Sequence, residues 1–272
     1  MGYTPMLDQA ERRLSLMTHR HTVIFTDLDH TLLDARGGLG KAAPFIRRLA
    51  ARGIPVIPAT SKTAAEVLNL WRRWSLHGPA VVENGAALCL PRRDRGGWRI
   101  HRLTSWRYAS IRALLRGWRA PLDLPLEGFG DWSLETICRL TGLSPINALA
   151  ARTRMASEPL RWEGPVDERL DERLHEAGLT ALQGGRFLTV QPATIDKAWG
   201  AAVLLNHLRA DGNWPRVIAL GDAPNDRRLL EMADRAACLP GPRPLSDEVP
   251  CLRARNAGPA GWIEALTRLG VA

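Results

Sequence analysis

This chain of 272 residues lacks several features that mark particular classes of protein. No apolar run approaches the roughly 20 residues that a membrane-spanning helix needs, and residues 1–21 carry no apolar signal segment. The four cysteines form no CxxC pair and lie far apart, which predicts buried free thiols in a reducing compartment. We therefore expect a cytoplasmic protein without a membrane partner.

Lysine is also scarce. It occurs only as Lys41, Lys62 and Lys197, so arginine supplies almost all of the positive charge behind a formal net charge of +9. A charge of this size raises the question of a nucleic-acid partner. The arginines are scattered, without a dense basic run. We expect a solvated, arginine-rich surface that attracts an anionic substrate, and no nucleic-acid partner.

Short apolar runs predict buried parallel strands, because a strand covered on both faces carries apolar side chains on both. These runs lie at 23–25, 54–58, 80–82, 217–220 and, more weakly, 236–239. Helical patterns lie at 42–51, 63–74, 197–208 and 226–233. The alternation predicts a doubly wound, Rossmann-like α/β sheet, which binds ligands at the carboxyl ends of its strands.

The alternation lapses between about 91 and 187, after a turn-rich break at 91–97. This stretch has a strand-like pattern at 98–103 and helical patterns near 105–118, 132–141 and 165–177. The predicted division is an N-terminal extension at 1–21, an α/β core at 22–90 and 188–272, and an inserted α+β domain at 91–187.

Asp27 and Asp29 follow the first predicted strand in the sequence DLDHT at 27–31. Two carboxylates at this spacing reach one pocket if the chain turns there. One can then attack phosphorus while the other handles a proton, and Mg²⁺ prefers such oxygen ligands. A solvated acidic loop is the alternative, and the apolar strand running directly into the motif disfavours it.

Two further segments offer groups that bind an anion. Thr60 and Ser61 lie between a strand and a helix, where hydroxyls and free amides suit phosphate oxygens; N-capping of the helix by either residue is the alternative. Lys197 opens a predicted helix, where its ammonium can neutralise a phosphate; a surface lysine is the alternative. Because lysine is so scarce, the presence of Lys62 and Lys197 in these segments favours the functional interpretation.

Asp222 and Asp226 lie in the sequence GDAPND at 221–226, directly after an apolar strand and before a helix. Two acids four apart, with turn residues between them, can complete a metal site beside the first pair. A plain turn with a helix cap is the alternative. The strand–GDxxND–helix arrangement favours the metal site.

In the order DxDxT, Thr/Ser, Lys and GDxxND, the chain resembles the haloacid dehalogenase superfamily, whose phosphatases use these four motifs. The resemblance covers essentially the whole chain, and the insertion is similar to the larger α/β cap of the second structural type. It implies that Asp27 attacks phosphorus and forms an aspartyl phosphate. It implies further that Asp29 protonates the leaving alkoxide and then activates water, so that its pKa lies near the working pH.

The same resemblance implies a Mg²⁺ ion between Asp27, the backbone carbonyl of Asp29 and Asp222, with Asp226 close by. Thr60, Ser61 and Lys197 would then hold the phosphate oxygens.

A closer resemblance rests on TSKT at 60–63, ENGA at 83–86, SEP at 157–159 and GRF at 185–187. With GDAPND, these segments are similar to mannosyl-3-phosphoglycerate phosphatases, whose neighbours, the glucosyl-3-phosphoglycerate phosphatases, share the chemistry. The resemblance implies a glycosyl-3-phosphoglycerate substrate and a role in making the compatible solutes mannosylglycerate or glucosylglycerate.

Four residues of the insertion are candidates for contacting the sugar hydroxyls or the glycerate carboxylate, with structural ion pairs as the alternative: Arg154, Ser157, Glu158 and Arg186. Two positions depart from the pattern. His30 stands where glycine is common, and Met155 stands where an acidic residue is expected. The identity of the sugar therefore stays open.

Other interpretations of the sequence remain. A sucrose-phosphate or trehalose-phosphate phosphatase, or a phosphomannomutase, would share the architecture. A non-catalytic anion- or nucleic-acid-binding module would fit the net charge, but the presence of all four motifs argues against it.

Overall fold

A computed structural model describes residues 22–92, 96–184, 186–208 and 214–271. The predicted extension at 1–21 lies outside these residues. Within them, no helix combines the length and the apolar character needed to cross a bilayer.

The described residues form eleven strands in three sheets. The strands are β1 (Thr22–Thr26), β2 (Val56–Pro58), β3 (Ala80–Val82), β4 (Ala87–Pro91), β5 (Trp98–Arg102), β6 (Glu158–Leu160), β7 (Leu179–Gln183), β8 (Leu188–Pro192), β9 (Arg216–Gly221), β10 (Arg235–Cys238) and β11 (Leu252–Arg253). The sheets have the orders β11-β10-β9-β1-β2, β3-β4-β5 and β6-β8-β7.

Nine α-helices are described. They are α1 (Ala42–Ala51), α2 (Ala64–Trp74), α3 (Tyr108–Leu122), α4 (Leu134–Thr141), α5 (Pro145–Arg152), α6 (Glu168–Glu176), α7 (Lys197–Leu208), α8 (Arg227–Glu231) and α9 (Gly258–Arg268).

The five-stranded sheet is parallel throughout and covered on both faces. Side chains alternate across β1: Ile24 packs with Phe45 of α1 and Trp262 of α9, whereas Phe25 packs with Leu204 of α7 on the opposite face. This arrangement confirms the predicted doubly wound core. The carboxyl ends of β1, β2 and β9 lie at one edge, so the segments beginning at residues 27, 59 and 222 meet there.

The sheet pairing bears on where the inserted domain begins and ends. β8 pairs with β6 and β7, although the predicted core resumes at residue 188, and β5 pairs with β4 across the boundary at 91. β4 ends at Pro91, β5 begins at Trp98, and the two strands pair antiparallel, so the turn-rich composition near 91–97 does not by itself indicate a domain boundary. The division into core and insertion stays a prediction, and the pairing favours boundaries near 103 and 193.

Candidate active site

Asp27 lies at the carboxyl end of β1, which pairs with β2 on one side and β9 on the other in the parallel sheet. Its backbone N–H donates to the Leu220 carbonyl of β9 at 2.9 Å, so Asp27 and Asp222 follow neighbouring strands. After Asp27 the chain makes one wide helical turn at Leu28–Leu32, in which His30 has a φ of 61°. A side chain in this left-handed region is uncommon, which explains why glycine suits the position.

Lys197 is the buried cation of the site. It begins α7, and its Nζ lies 2.5 Å from Oδ1 of Asp27 and 2.5 Å from Oδ1 of Asp226. Burial acts to lower the pKa of this ammonium, but the carboxylates of Asp226 and Asp27 outweigh burial and raise it. Lys197 therefore carries its charge, and the surface-lysine alternative is wrong, because its side chain is 1% exposed.

The loop after β9 places the second pair of acids. Oδ2 of Asp226 accepts the backbone N–H groups of Asp222 and Ala223 at 3.0 and 3.1 Å, which closes the loop on itself. Gly221 is required here, because a Cβ on this residue would lie 2.5 Å from Asp226. The hydroxyl of Thr31 donates to Oδ1 of Asp222 at 2.8 Å, joining the first motif to the fourth.

Negative charge exceeds positive charge in this cluster. Burial raises the pKa of Asp27 to about 7, with Lys197 opposing the rise and Asp226 and Asp29 adding to it. Burial, with repulsion from Asp27 and Asp226, raises the pKa of Asp222 to about 8. One ammonium does not balance three buried carboxylates, so the site is suited to a further cation.

Carboxylate oxygens of Asp27, Asp222 and Asp226 all lie within 4.8 Å of one another. An all-oxygen donor set of this kind fits Mg²⁺. The Asp29 carboxylate is not part of this cluster, so only its backbone carbonyl remains as the metal ligand expected from that residue.

Asp29 forms an ion pair with Lys62 instead. Nζ of Lys62 lies 2.8 Å from Oδ2 of Asp29 and 3.7 Å from Oε1 of Glu66. Burial acts to raise the pKa of Asp29, but the charge and hydrogen bond of Lys62 outweigh it, so the pKa is lowered. This direction runs against the expectation that the pKa of Asp29 lies near the working pH.

The Thr60–Ser61 segment follows β2 and precedes α2. The alternative that Thr60 or Ser61 caps the helix is wrong, because Thr63 is the N-cap and forms a capping box with Glu66. Thr60 is fully buried, and its Oγ1 accepts the N–H of Lys62 at 3.2 Å. Ser61 lines the cavity described below.

A cavity of about 350 Å³ opens in front of Asp27. Its floor includes Asp27, Asp29 and Asp222, and its opposite wall comes from the inserted segment, with Phe129 and Phe187 in edge-to-face contact at 5.1 Å. Charged, polar and apolar groups thus surround a space large enough for a phosphate and an attached organic group.

The four candidates of the inserted segment differ in placement. Arg186 is exposed and lines the cavity, with Nη1 donating to the Thr141 carbonyl. Arg154 also lines the cavity, but its guanidinium donates to protein oxygens of Ser157, Ala151 and Ser61.

Ser157 and Glu158 are fully buried and are not among the described residues that line the cavity. Ser157 donates to Glu83, and Glu158 accepts the N–H of Gly130. Burial raises the pKa of Glu158. Their proposed contact with a sugar stays a prediction.

Sequence reasoning did not assign Lys62, Asn225 or Glu83 to the site. Asn225 lines the cavity, and its Nδ2 donates to Oδ1 of Asn84 at 3.3 Å. Its position inside GDAPND was a usable signal. The signal for Lys62 was the scarcity of lysine; Glu83 had only the resemblance of its ENGA segment.

No protein-family model matches the chain. Solved structures do match it over nearly its whole length. A phosphatase of the haloalkanoate (HAD) superfamily from Bacteroides thetaiotaomicron matches with a TM-score of 0.64 and 18% identity, over 94% of this chain and 98% of that chain. A haloacid dehalogenase-like hydrolase from B. subtilis matches with a TM-score of 0.60 and 15% identity, over 90% and 98%.

The sucrose-phosphatase from Synechocystis sp. PCC6803, solved in complex with sucrose and phosphate, matches with a TM-score of 0.58 and 16% identity, over 93% of this chain and 99% of that chain. At these identities the similarity concerns the fold. The chain therefore has the α/β fold of the haloacid dehalogenase-like hydrolases.

Proposed function

We propose that this protein is a magnesium-dependent phosphomonoester hydrolase that acts through an aspartyl phosphate on Asp27. The observation that carries the proposal is the cluster of Asp27, Asp222 and Asp226, two of which pair with Lys197, beside the cavity that Asp27 and Asp222 line. Three carboxylates and one buried ammonium at the carboxyl edge of a parallel sheet suit phosphoryl transfer better than binding alone.

In the proposed reaction, an oxygen of the Asp27 carboxylate attacks phosphorus in line and displaces the alkoxide, which takes a proton from Asp29. Asp29, then ionised, removes a proton from the water that hydrolyses the acyl phosphate. The Lys62 ammonium favours the ionised form of Asp29 that this second step needs. Lys197 and the Thr60–Ser61 segment hold the non-bridging oxygens.

Asp27, Asp222 and Asp226 would hold the Mg²⁺ ion, which would offset the repulsion between the Asp27 carboxylate and a phosphate dianion. The raised pKa values of Asp27 and Asp222 support this role, because an added cation stabilises their ionised forms.

For the substrate we propose a glycosyl-3-phosphoglycerate, with a mannosyl or glucosyl group, whose hydrolysis gives the glycosylglycerate and phosphate. The TSKT and SEP segments support this class, and the cavity offers an aromatic wall at Phe129 and Phe187 with the cationic Arg186 beside it. Aromatic rings pack against sugar rings, and a guanidinium binds a carboxylate bidentately.

A sugar-phosphate phosphatase of another type is the second candidate. It is favoured by the structural similarity to a sucrose-phosphatase bound to sucrose and phosphate. A phosphomannomutase would pass the phosphoryl group to a second hydroxyl instead of to water.

The test measures release of inorganic phosphate from both glycosyl-3-phosphoglycerates, sucrose phosphate, trehalose phosphate and mannose phosphates, each with Mg²⁺ and with EDTA. We expect Mg²⁺-dependent release, fastest from one of the glycosyl-phosphoglycerates. Inactivity on both of these with release from another sugar phosphate rejects the substrate class and keeps the phosphatase. Inactivity on every ester, or isomerisation of a mannose phosphate without release, rejects the phosphatase.

A further inference from the structure

The turn Glu83–Gly85 joins β3 to β4 and has no part in the four motifs. All three of its residues have left-handed backbone conformations, with φ values of 46°, 51° and 99°. Glutamate rarely adopts this conformation, so the contacts of the turn must hold it there.

The backbone of the turn hydrogen-bonds to residues 60–62, the proposed phosphate-binding segment. The N–H groups of Glu83 and Asn84 donate to the carbonyls of Lys62 and Thr60, both at 2.9 Å. Nη2 of Arg154 donates to the carbonyl between them, that of Ser61, also at 2.9 Å. Because a trans peptide directs its N–H opposite to its C=O, anchoring the Thr60 carbonyl turns the Ser61 N–H away from the turn.

The side chain of Glu83 holds a segment of the insertion. Its buried carboxylate accepts the N–H groups of Met155 and Ala156 at 2.8 and 3.1 Å, and the hydroxyl of Ser157 at 2.6 Å. Arg154 donates to the same hydroxyl through Nε and Nη2, at 3.1 and 3.0 Å. Glu83, Ser157 and Arg154 therefore connect the segment 154–157 to the carbonyl of Ser61.

The other two residues of the turn reach the remaining motifs. Asn84 donates to Gln191 at 2.9 Å and accepts from Asn225 at 3.3 Å. A Cβ on Gly85 would lie 2.0 Å from the carbonyl oxygen of Asp196, the residue before Lys197. The turn thus lies against the second motif and also against the third and fourth, which follow the second by more than 100 residues of sequence.

We propose that Glu83 and Arg154 are positioning residues that couple the docking of segment 154–157 to the geometry of the phosphate-binding segment at 60–62. This inference rests on the proposed function and deepens it. It gives Arg154 and Ser157 a different role from sugar recognition. Without the coupling, the backbone carbonyls of residues 60–62 lose their fixed orientation. Phosphate binding then weakens for every ester, whatever its leaving group.

The kinetic test compares two esters, p-nitrophenyl phosphate and the best glycosyl-3-phosphoglycerate. Glu83→Gln places an amide N–H₂ against backbone N–H donors, and Arg154→Lys keeps the charge but cannot reach Ser61 and Ser157 together. Both variants should lower kcat/KM by about 10- to 100-fold, by the same factor for the two esters. Arg186→Lys, at the leaving-group wall, should instead show a loss that grows with the size of the leaving group.

Matched controls are the exposed pair Arg161 and Glu163. Arg161→Lys and Glu163→Gln repeat the chemical changes and should alter neither ester's turnover. If kcat/KM of Arg154→Lys falls only for the glycosyl ester, Arg154 recognises the sugar and the proposal is overturned. Wild-type activity in both variants would also overturn it. If Glu83→Gln does not fold, Arg154→Lys decides.

Two readouts do not need turnover. Calorimetry of the Mg²⁺-loaded protein should show inorganic phosphate binding weakened about tenfold in both variants, measured below their unfolding temperatures. Amide hydrogen exchange should rise at residues 60–63 in the variants and not in the controls. Unchanged exchange there overturns the coupling. If the wild type hydrolyses no ester, the proposed function is rejected. Faster exchange at residues 60–63 in the variants would still support the coupling.

Discussion

The ammonium of Lys62 lies 2.8 Å from the carboxylate of Asp29, the residue that the first motif offers for proton transfer. Burial opposes ionisation of Asp29, and the ion pair reverses that effect, so its pKa is lowered. Lys62 therefore favours the ionised, basic form of Asp29. Asp29 must give a proton to a poor leaving group, and the ion pair with Lys62 makes Asp29 harder to protonate.

Replacing Lys62 with methionine should raise the pKa of Asp29, because the cation that lowers this pKa would be gone. Asp29 must be protonated to assist a poor leaving group, so the alkaline limb of kcat/KM against pH should move to higher pH for a sugar ester. The measurement is a pH–rate profile from about pH 4 to about pH 10. Lys41→Met, at an exposed position, is the control. An unchanged profile in Lys62→Met would contradict the pairing.

Asp27→Asn should lower phosphate release by at least about 10⁴-fold, because an amide cannot act as the nucleophile. The fold should persist, since asparagine has nearly the same shape and relieves repulsion from Asp222. Phosphate release and thermal unfolding are measured together. Asp247→Asn, whose carboxylate is fully exposed, should behave as wild type. Near wild-type turnover in Asp27→Asn would reject the nucleophile.

Lys197→Met should destabilise the protein by about 3–5 kcal/mol, because it leaves the buried carboxylates of Asp27 and Asp226 without their cation. Urea denaturation at about pH 8 measures the loss. Mg²⁺ should restore part of it, since a second cation then faces the same carboxylates. A variant as stable as wild type in EDTA would contradict the charge balance described for the site.

The stability of the metal-free protein should fall as pH rises from about 4 to about 8. The pKa of Asp27 is raised to about 7 and that of Asp222 to about 8, so both hold protons more tightly in the folded state than in the unfolded chain. Mg²⁺ requires the ionised carboxylates, so its stabilising effect should be larger at high pH.

Thermal unfolding at about pH 5.5 and about pH 8, in EDTA and in Mg²⁺, tests this linkage. The rise in Tm on adding Mg²⁺ should be several degrees greater at the higher pH. Asp222→Asn should shrink the difference between the two pH values. An equal rise at both pH values would show that these carboxyls are not the groups that bind the ion.

Local sequence patterns determined the core elements and the positions of the four motifs. Short apolar runs predict β1 and β9. The helical patterns predicted at 42–51 and 197–208 match α1 (Ala42–Ala51) and α7 (Lys197–Leu208). Because parallel strands end at a common edge, the strand pattern places Asp27 and Asp222 at the same edge of the sheet. That β1 and β9 are neighbours there is a long-range contact. Periodicity and strand ends are local properties, which a single sequence records.

Only the tertiary structure decided which charges pair and which side chains hold the loops. The ion pair of Lys62 with Asp29 and the burial of Glu83 each depend on how remote segments meet. The pairing of β8 with β6 and β7 is likewise a long-range contact. Periodicity predicts whether a residue is buried, but the partner of a polar group is set by the distance and direction between segments, which only the folded chain defines.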